Sequence, residues 1–214
     1  MSLSERRRSR DNQKQVPTAY IGLGANLPGP AGSPEDTLAA AVSRLGSLGR
    51  VEACSSLYST SPVGFADQPR FLNAVLALET RLSPHELLEA LLDVEREFGR
   101  DRSAGFANGP RTLDLDVLLY GDLVASGYDL KIPHPRLAER AFVLVPLREI
   151  APQAIDPRTG SAVSQYLENL FPDPKGANDA VVQVESSLWS ADPGRAGQPR
   201  NDGSAGAGAD RDCG

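Results

Sequence analysis

Cysteine is nearly missing from this 214-residue chain: only Cys54 and Cys213 occur, so neither a disulfide framework nor a thiolate metal site is indicated, and a reducing compartment is the simpler setting. No apolar run reaches the roughly 20 residues that a membrane-crossing helix needs, and the opening stretch lacks the apolar core of a secretory signal. A cytoplasmic protein with no membrane partner is expected. Excess positive charge is also absent. The formal net charge of -6 argues against general nucleic-acid binding, which uses a broad basic surface; any phosphate ligand has to be held by a local basic cluster. Gly22, Gly24 and Asn26 end an apolar run without matching a Walker or dinucleotide fingerprint. No serine, cysteine or histidine constellation suggests a covalent nucleophile, and His85 reads as a solvated residue in the first turn of a helix.

What is present fits one soluble domain: 40% of residues are hydrophobic, enough for a real core at this length. The composition divides the chain into a disordered tail over 1–16, a folded domain over 17–174 and a second disordered tail over 175–214, rich in Pro, Gly, Ala, Ser and Asp. Arg6, Arg7, Arg8 and Arg10 read as a solvated end rather than a targeting or nucleic-acid arm. In the second tail only residues 181–184 and Trp189 are sticky; a short strand, a docking motif and compositional accident are the readings, with accident favoured.

Between the tails the periodicities alternate. Residues 19–24 (AYIGLG) read as a buried strand. Ser33 then caps a helix with Pro34 at its first position, Glu35 and Asp36 in its first turn, and Leu38, Ala41, Val42 and Leu45 on one face. Residues 51–58 and 71–79 read as strands, joined by a loop over 59–70. The clearest helix spans 83–98, with a Ser83/Glu86 capping box, Gly99 as its stop, and Leu87, Leu88, Leu91, Val94 and Phe98 as its buried stripe. Residues 112–120 (TLDLDVLLY) make a further strand. Two helices on a mostly antiparallel sheet predict an α+β, ferredoxin-like fold.

In that last strand Leu113, Leu115, Val117 and Leu119 face one way by alternation, and Asp114 and Asp116 the other. Two close carboxylates repel, and burying them is costly unless cations intervene. Magnesium suits the need, because it takes oxygen ligands and completes its shell with water and substrate phosphates. An isolated Asp-x-Asp is more often a charged strand edge. The surroundings shift that balance: Arg111 directly precedes the strand, Arg100 and Arg102 lie upstream, and His134, Arg136 and Arg140 follow, with Pro133 and Pro135 stiffening the loop. Guanidinium groups bind two phosphate oxygens at once and stay charged. Metal-binding carboxylates beside such arginines are the equipment of phosphoryl transfer. Glu95, on the polar side of its helix, is either an exposed helix residue or the partner that orients a neighbouring arginine.

Residues 20–152 resemble the 6-hydroxymethyl-7,8-dihydropterin pyrophosphokinase family of folate biosynthesis. The resemblance is carried most specifically by GPRTLDLDVLL from Gly109, with YIGLGANL from Tyr20, residues 55–58 and 62–64, QPRFLNAV from Gln68 and IPHPRLAERAFVLVPLREIAP from Ile132. It implies transfer of the terminal diphosphate of ATP to the pterin hydroxymethyl group, leaving AMP. It also implies two magnesium ions held by Asp114 and Asp116, and Arg100 and Arg111 on the transferring phosphates. Glu95, Arg102, Leu115, His134, Arg136 and Arg140 fall to the nucleotide. Asn73 would read the polar edge of the pterin, Phe71 and Phe142 would sandwich its ring, and Thr60, Pro62 and Val63 would line the same pocket. A monomer or weak dimer acting on small molecules, without nucleic acid, is expected. The sequence departs from the family at Ala107 and Asn108, where some members have a basic residue and a tryptophan, and Phe106 is the candidate replacement cover. Ser61 stands where a proline is frequent.

Overall fold

The computed structural model describes residues 16–103, 108–172 and 181–189. The arginine run near the start, Ala107 of the departure from the family pattern and Phe106, its candidate replacement cover, lie outside the described residues, as does most of the second expected tail.

β1 (Thr18–Ala25) leads through a capped turn into α1 (Pro34–Leu45), whose Ser33 side chain and Asp36 carboxylate cap each other's backbone amides. β2 (Arg50–Cys54), β3 (Leu57–Thr60) and β4 (Phe71–Glu79) follow, then α2 (Pro84–Glu97), closed at Gly99 with φ +80°, and β5 (Asp114–Tyr120). The sheet order is β5-β1-β4-β3 followed by β8 (Val181–Val184), with β2 also on β4, and every pairing among the described strands is antiparallel. Taking β2 and β3 as one interrupted strand, this is the split βαβ arrangement of a ferredoxin-like domain. A short hairpin, β6 (Ala125–Ser126) with β7 (Lys131–Ile132), precedes a 3₁₀ turn (Leu137–Glu139), α3 (Ala141–Ile150), α4 (Val163–Leu170) and β8 (Val181–Val184).

The core lies on both faces of the sheet. On one, Ile21, Leu23, Leu76 and Leu115 pack against α1 and α2. On the other, Val75, Leu118 and Leu119 pack against Val143, Leu144 and Leu147 of α3 and Leu167 of α4. Leu87, Leu91 and Val94 of the α2 stripe are fully buried, and truncating any of them to Ala would cost about 2–5 kcal/mol.

Four sequence expectations need correction. The predicted strand over 51–58 is two strands, because Ser55 breaks the ladder: its amide donates to Val75 O at 2.9 Å, and its Oγ, rather than its carbonyl, accepts the Val75 amide at 2.9 Å. Alternation in β5 fails at Leu118, where the register with β1 shifts between Tyr20 and Ile21. Leu119 consequently joins the face of Asp114 and Asp116, and Tyr120 the opposite one. α3 and α4 add a second helical layer beyond the two helices expected. α3 has no side-chain cap at Arg140 and carries Pro146 inside it, so a start signal is lacking and its interior holds a residue that ordinarily breaks helices. Finally, Val181–Val184, placed in a disordered tail by composition, extends the sheet as β8, and Trp189 is buried.

Candidate functional site

The floor of the site is a row across the middle of the sheet. Gly24 of β1 stands between Asn73 of β4 and Asp114 of β5, and its neighbour in the same face, Gly22, stands opposite Asp116. Glycine at position 24 leaves the floor open beside Asp114, since a Cβ there would come 3.2 Å from Asn73 Oδ1, whereas the corresponding place at Gly22 is covered by the Leu118 side chain. Above this row opens a cavity of about 710 Å³.

At one end of the cavity stand Thr60, Pro62, Val63, Phe71, Asn73 and Phe142, the residues expected to hold a flat heterocycle. Asn73 Nδ2 donates to Thr60 Oγ1 at 2.8 Å within the protein interior, which fixes the amide orientation. At the other end, Arg111, Asp114, Asp116, His134, Arg136 and Arg140 face the same space. Arg111 lies 3.5 Å from Asp114 and over the Phe71 ring at 5.1 Å; Arg140 lies 3.7 Å from Asp116 and over the Phe142 ring at 5.4 Å. Each arginine thus joins the charged end to the aromatic end. The Nε atoms of Arg111 and Arg140 are buried and have no hydrogen-bond partner among the described residues. A buried unpaired donor is costly; both guanidiniums line the cavity, and an oxyanion is the ligand class that complements them.

Burial and the neighbouring Asp114 charge push the Asp116 carboxyl up to about 6. His134 is pushed down to about 4, first by burial and then by Arg140 and Arg136. Its Nδ1 accepts the Arg136 amide at 3.1 Å, so the single proton of the neutral ring sits on Nε2, 4.0 Å from Asp116. His134 is therefore a neutral donor facing the carboxylates.

The remaining expected residues stand behind the cavity wall. Glu95, 1% exposed, accepts from Arg102 Nε at 2.9 Å and Nη2 at 2.6 Å, and lies 3.4 Å from Arg100. Arg100 also donates to Leu113 O at 2.7 Å and contacts Asp114. Of the two readings of Glu95, the structure selects the one that orients arginines. Leu115 does not face the cavity: its side chain is in the α1/α2 core and its amide goes to Glu95.

Sequence reading missed the residues that hold the loops. Asn26, 3% exposed, accepts the Arg111 amide at 2.8 Å and donates to Gln68 Oε1 and Pro69 O, each at 3.0 Å. Gln68 Nε2 in turn donates to Asn108 O at 2.8 Å, tying the 59–70 loop to the segment before β5. Asn108 itself lines the cavity at φ +60°, a left-handed conformation that Asn tolerates better than most residues. Ser61, where a proline is frequent, accepts from Arg70 Nη1 at 2.8 Å. Leu170, Phe171 and Val181 complete the wall; they lie far along the chain, and no local pattern marks them. Asn26 did leave a signal, as a polar residue closing an apolar strand.

The sequence model of the family 7,8-dihydro-6-hydroxymethylpterin-pyrophosphokinase (HPPK) matches residues 20–152. The chain is 43% identical over 162 residues to the 2-amino-4-hydroxy-6-hydroxymethyldihydropteridine pyrophosphokinase of Synechocystis sp., covering 75% of this chain and 80% of that one. It is 45% identical over 139 residues to the protein of the same name from Pseudomonas aeruginosa, covering 64% and 82% respectively. In fold it is similar to the crystal structure of wild-type Plasmodium falciparum HPPK-DHPS, with TM-score 0.61 at 13% identity; the match covers 83% of this chain but 46% of that one, so this chain spans about half of it.

Proposed function

Because the chain belongs to the 7,8-dihydro-6-hydroxymethylpterin-pyrophosphokinase family, we propose that it transfers diphosphate from ATP to the hydroxymethyl group of 6-hydroxymethyl-7,8-dihydropterin, releasing AMP. The observation that carries this reading is the single cavity face on which Phe71, Asn73 and Phe142 meet Asp114, Asp116, Arg111 and Arg140. In this reaction the hydroxymethyl oxygen bonds to the β-phosphorus, the bond from that phosphorus to the oxygen shared with the α-phosphate breaks, and the hydroxyl proton is lost.

Each end of the cavity has the chemistry for one substrate. Phe71 and Phe142 offer ring faces to the pterin, and Asn73, held by Thr60, offers a fixed amide to its polar edge. Arg111 and Arg140 bring guanidiniums to the cavity for phosphate oxygens, and His134 adds a neutral Nε2–H. Arg100, anchored by Glu95 and the Leu113 carbonyl, places a further guanidinium beside Asp114. Positioning and charge neutralisation of this kind carry phosphoryl transfer without a covalent enzyme intermediate.

Among the described residues no group of three or more His, Cys, Asp or Glu side chains could hold a metal ion. The proposed donor set is the Asp114–Asp116 pair, beside Gly24 on the cavity floor, and hard oxygen ligands of that number suit Mg²⁺ sharing its shell with water and phosphate. Two such ions would neutralise charge on the phosphate chain. A cytoplasmic location and a monomeric or weakly dimeric state belong to the same proposal.

The test is AMP release from ATP and Mg²⁺ with and without the pterin, followed by mass analysis of the pterin. Pterin-dependent AMP with a diphosphate added to the pterin is the expected result. ATP binding without AMP release would instead make the chain a binding module.

A further inference from the structure

We propose that the segment from Val181 to Trp189 is a positioning clamp for the pterin end of the cavity, acting through β3; this rests on the reaction proposed above.

β3 carries Thr60 into the loop that supplies Pro62 and Val63, yet it is only four residues long, and it pairs with β4 at Tyr58, Ser59 and Thr60. A strand so short, with one open edge, is a weak support for a binding wall. β8 covers that edge along its whole length, from Leu57 opposite Val184 to Thr60 opposite Val181. Val181 is itself 4% exposed and lines the cavity beside Thr60.

The other end of the segment holds the strand where its ladder is broken. The Ser55 hydroxyl replaces the Ser55 carbonyl in bonding the Val75 amide, and the carbonyl so released accepts Trp189 Nε1–H at 2.8 Å inside the core. Without Trp189 that carbonyl would have no partner in an apolar surrounding. Ser186 shapes the approach: its Oγ accepts the Leu188 and Trp189 amides at 3.1 and 2.9 Å and contacts Glu35 at the start of α1. Gln183 Nε2 donates to Ser56 Oγ at 3.0 Å. Val181 and Trp189 thus pin β3 and its entry bulge from both ends, and among the described residues the side-chain hydrogen bonds that leave the segment run to Ser55, Ser56 and Glu35 rather than to Asp114, Asp116 or the arginines. Loosening it should affect the pterin wall and spare the nucleotide end.

Trp189→Phe keeps an aromatic ring in the core but removes the Nε1–H together with the rest of the pyrrole ring. The expected result is a pterin KM raised about fivefold, the factor one neutral hydrogen bond represents, an unchanged ATP KM, and faster amide hydrogen exchange over residues 57–60 without any substrate. Ser186→Ala, which leaves the indole in place, carries the same readouts should Trp189→Phe fold poorly. A lowered unfolding temperature with unchanged pterin KM, or with unchanged exchange in β3, overturns the clamp and leaves the segment an ordinary edge cover. Wild-type chain that releases no pterin-dependent AMP would sink the reaction instead, and the exchange measurement would still decide the clamp.

Discussion

Glu95 accepts the amide of Leu115 at 2.8 Å, so one buried carboxylate on α2 fixes both the strand that carries Asp114 and Asp116 and the arginines beside it. Burial raises the Glu95 pKa despite the Leu115 amide and the Arg100 and Arg102 charges, which pull it down. A raised folded-state pKa means that ionised Glu95 is a cost to folding, felt as pH rises through that pKa. Glu95→Gln should therefore lose little stability at neutral pH while kcat falls, because Arg100 and Arg102 lose their counter-charge. Glu95→Ala, which strands the Leu115 amide and both guanidiniums, should lose about 3 kcal/mol. Urea unfolding and steady-state kinetics on the two variants separate these effects, and equal destabilisation by both would refute the argument.

Replacing Asp114 or Asp116 by Ala should lower turnover on the order of a thousandfold, since neutralisation of phosphate charge is worth several kcal/mol. The fold should survive, because both side chains lie on a partly exposed floor rather than in either apolar cluster. Circular dichroism and AMP release check the two halves. Near-normal turnover in either variant would end the two-carboxylate assignment.

The same pair makes metal-free stability depend on pH. Burial and the Asp114 charge push the Asp116 carboxyl up from an ordinary 3.8 to about 6. The native state holds its proton more tightly than the unfolded chain, so this group's favourable contribution is complete below about 4 and is lost as pH rises through 6. Asp116→Asn lacks that loss. Its unfolding temperature should gain on the wild type between pH 4 and pH 7 in chelator, with no gain below pH 4. Parallel curves for the two proteins would show that Asp116 titrates normally.

Local signals made much of this legible. The Ser33 cap with Pro34, the Ser83/Glu86 capping box and the stripes of α1 and α2 marked both helices in the sequence, and alternation placed Asp114 and Asp116 on one face. What failed did so for non-local reasons. The Ser55 break depends on a hydroxyl standing in for a carbonyl against β4. The Leu118 bulge depends on register with β1. β8 has the β-branched residues of a strand, but its composition speaks for a tail until the open edge of β3 is known. At the site, residue types that touch ligands were readable, whereas Asn26, which touches only protein, was visible chiefly as a strand end.

Asn26 offers a way to separate the two loops. Its Oδ1 holds the Arg111 amide and its Nδ2 holds Gln68 and Pro69. Asn26→Asp retains the acceptor but loses both donations, so the pterin KM should rise with kcat little changed. Asn26→Ala also releases Arg111, and kcat should fall as well, with a stability loss of about 1–3 kcal/mol for the stranded amide. Kinetics showing identical losses in both variants would mean that the side chain acts as one unit.

His134 gives the sharpest check on the charged end. With its pKa pushed down to about 4 and Nδ1 already accepting the Arg136 amide, the ring should remain a neutral Nε2–H tautomer throughout the pH range in which an ordinary histidine changes charge. Imidazole NMR should show its midpoint near pH 4, with the resonance assigned by its disappearance in His134→Gln. Activity above pH 5 should carry no ionisation that this substitution removes. The physical ground is burial, which disfavours the charged ring, together with Arg140 and Arg136, whose positive charge a third cation would oppose. A midpoint near 6.5 would mean that Asp116 draws a proton onto the ring, making His134 a charged partner for phosphate instead of a neutral donor.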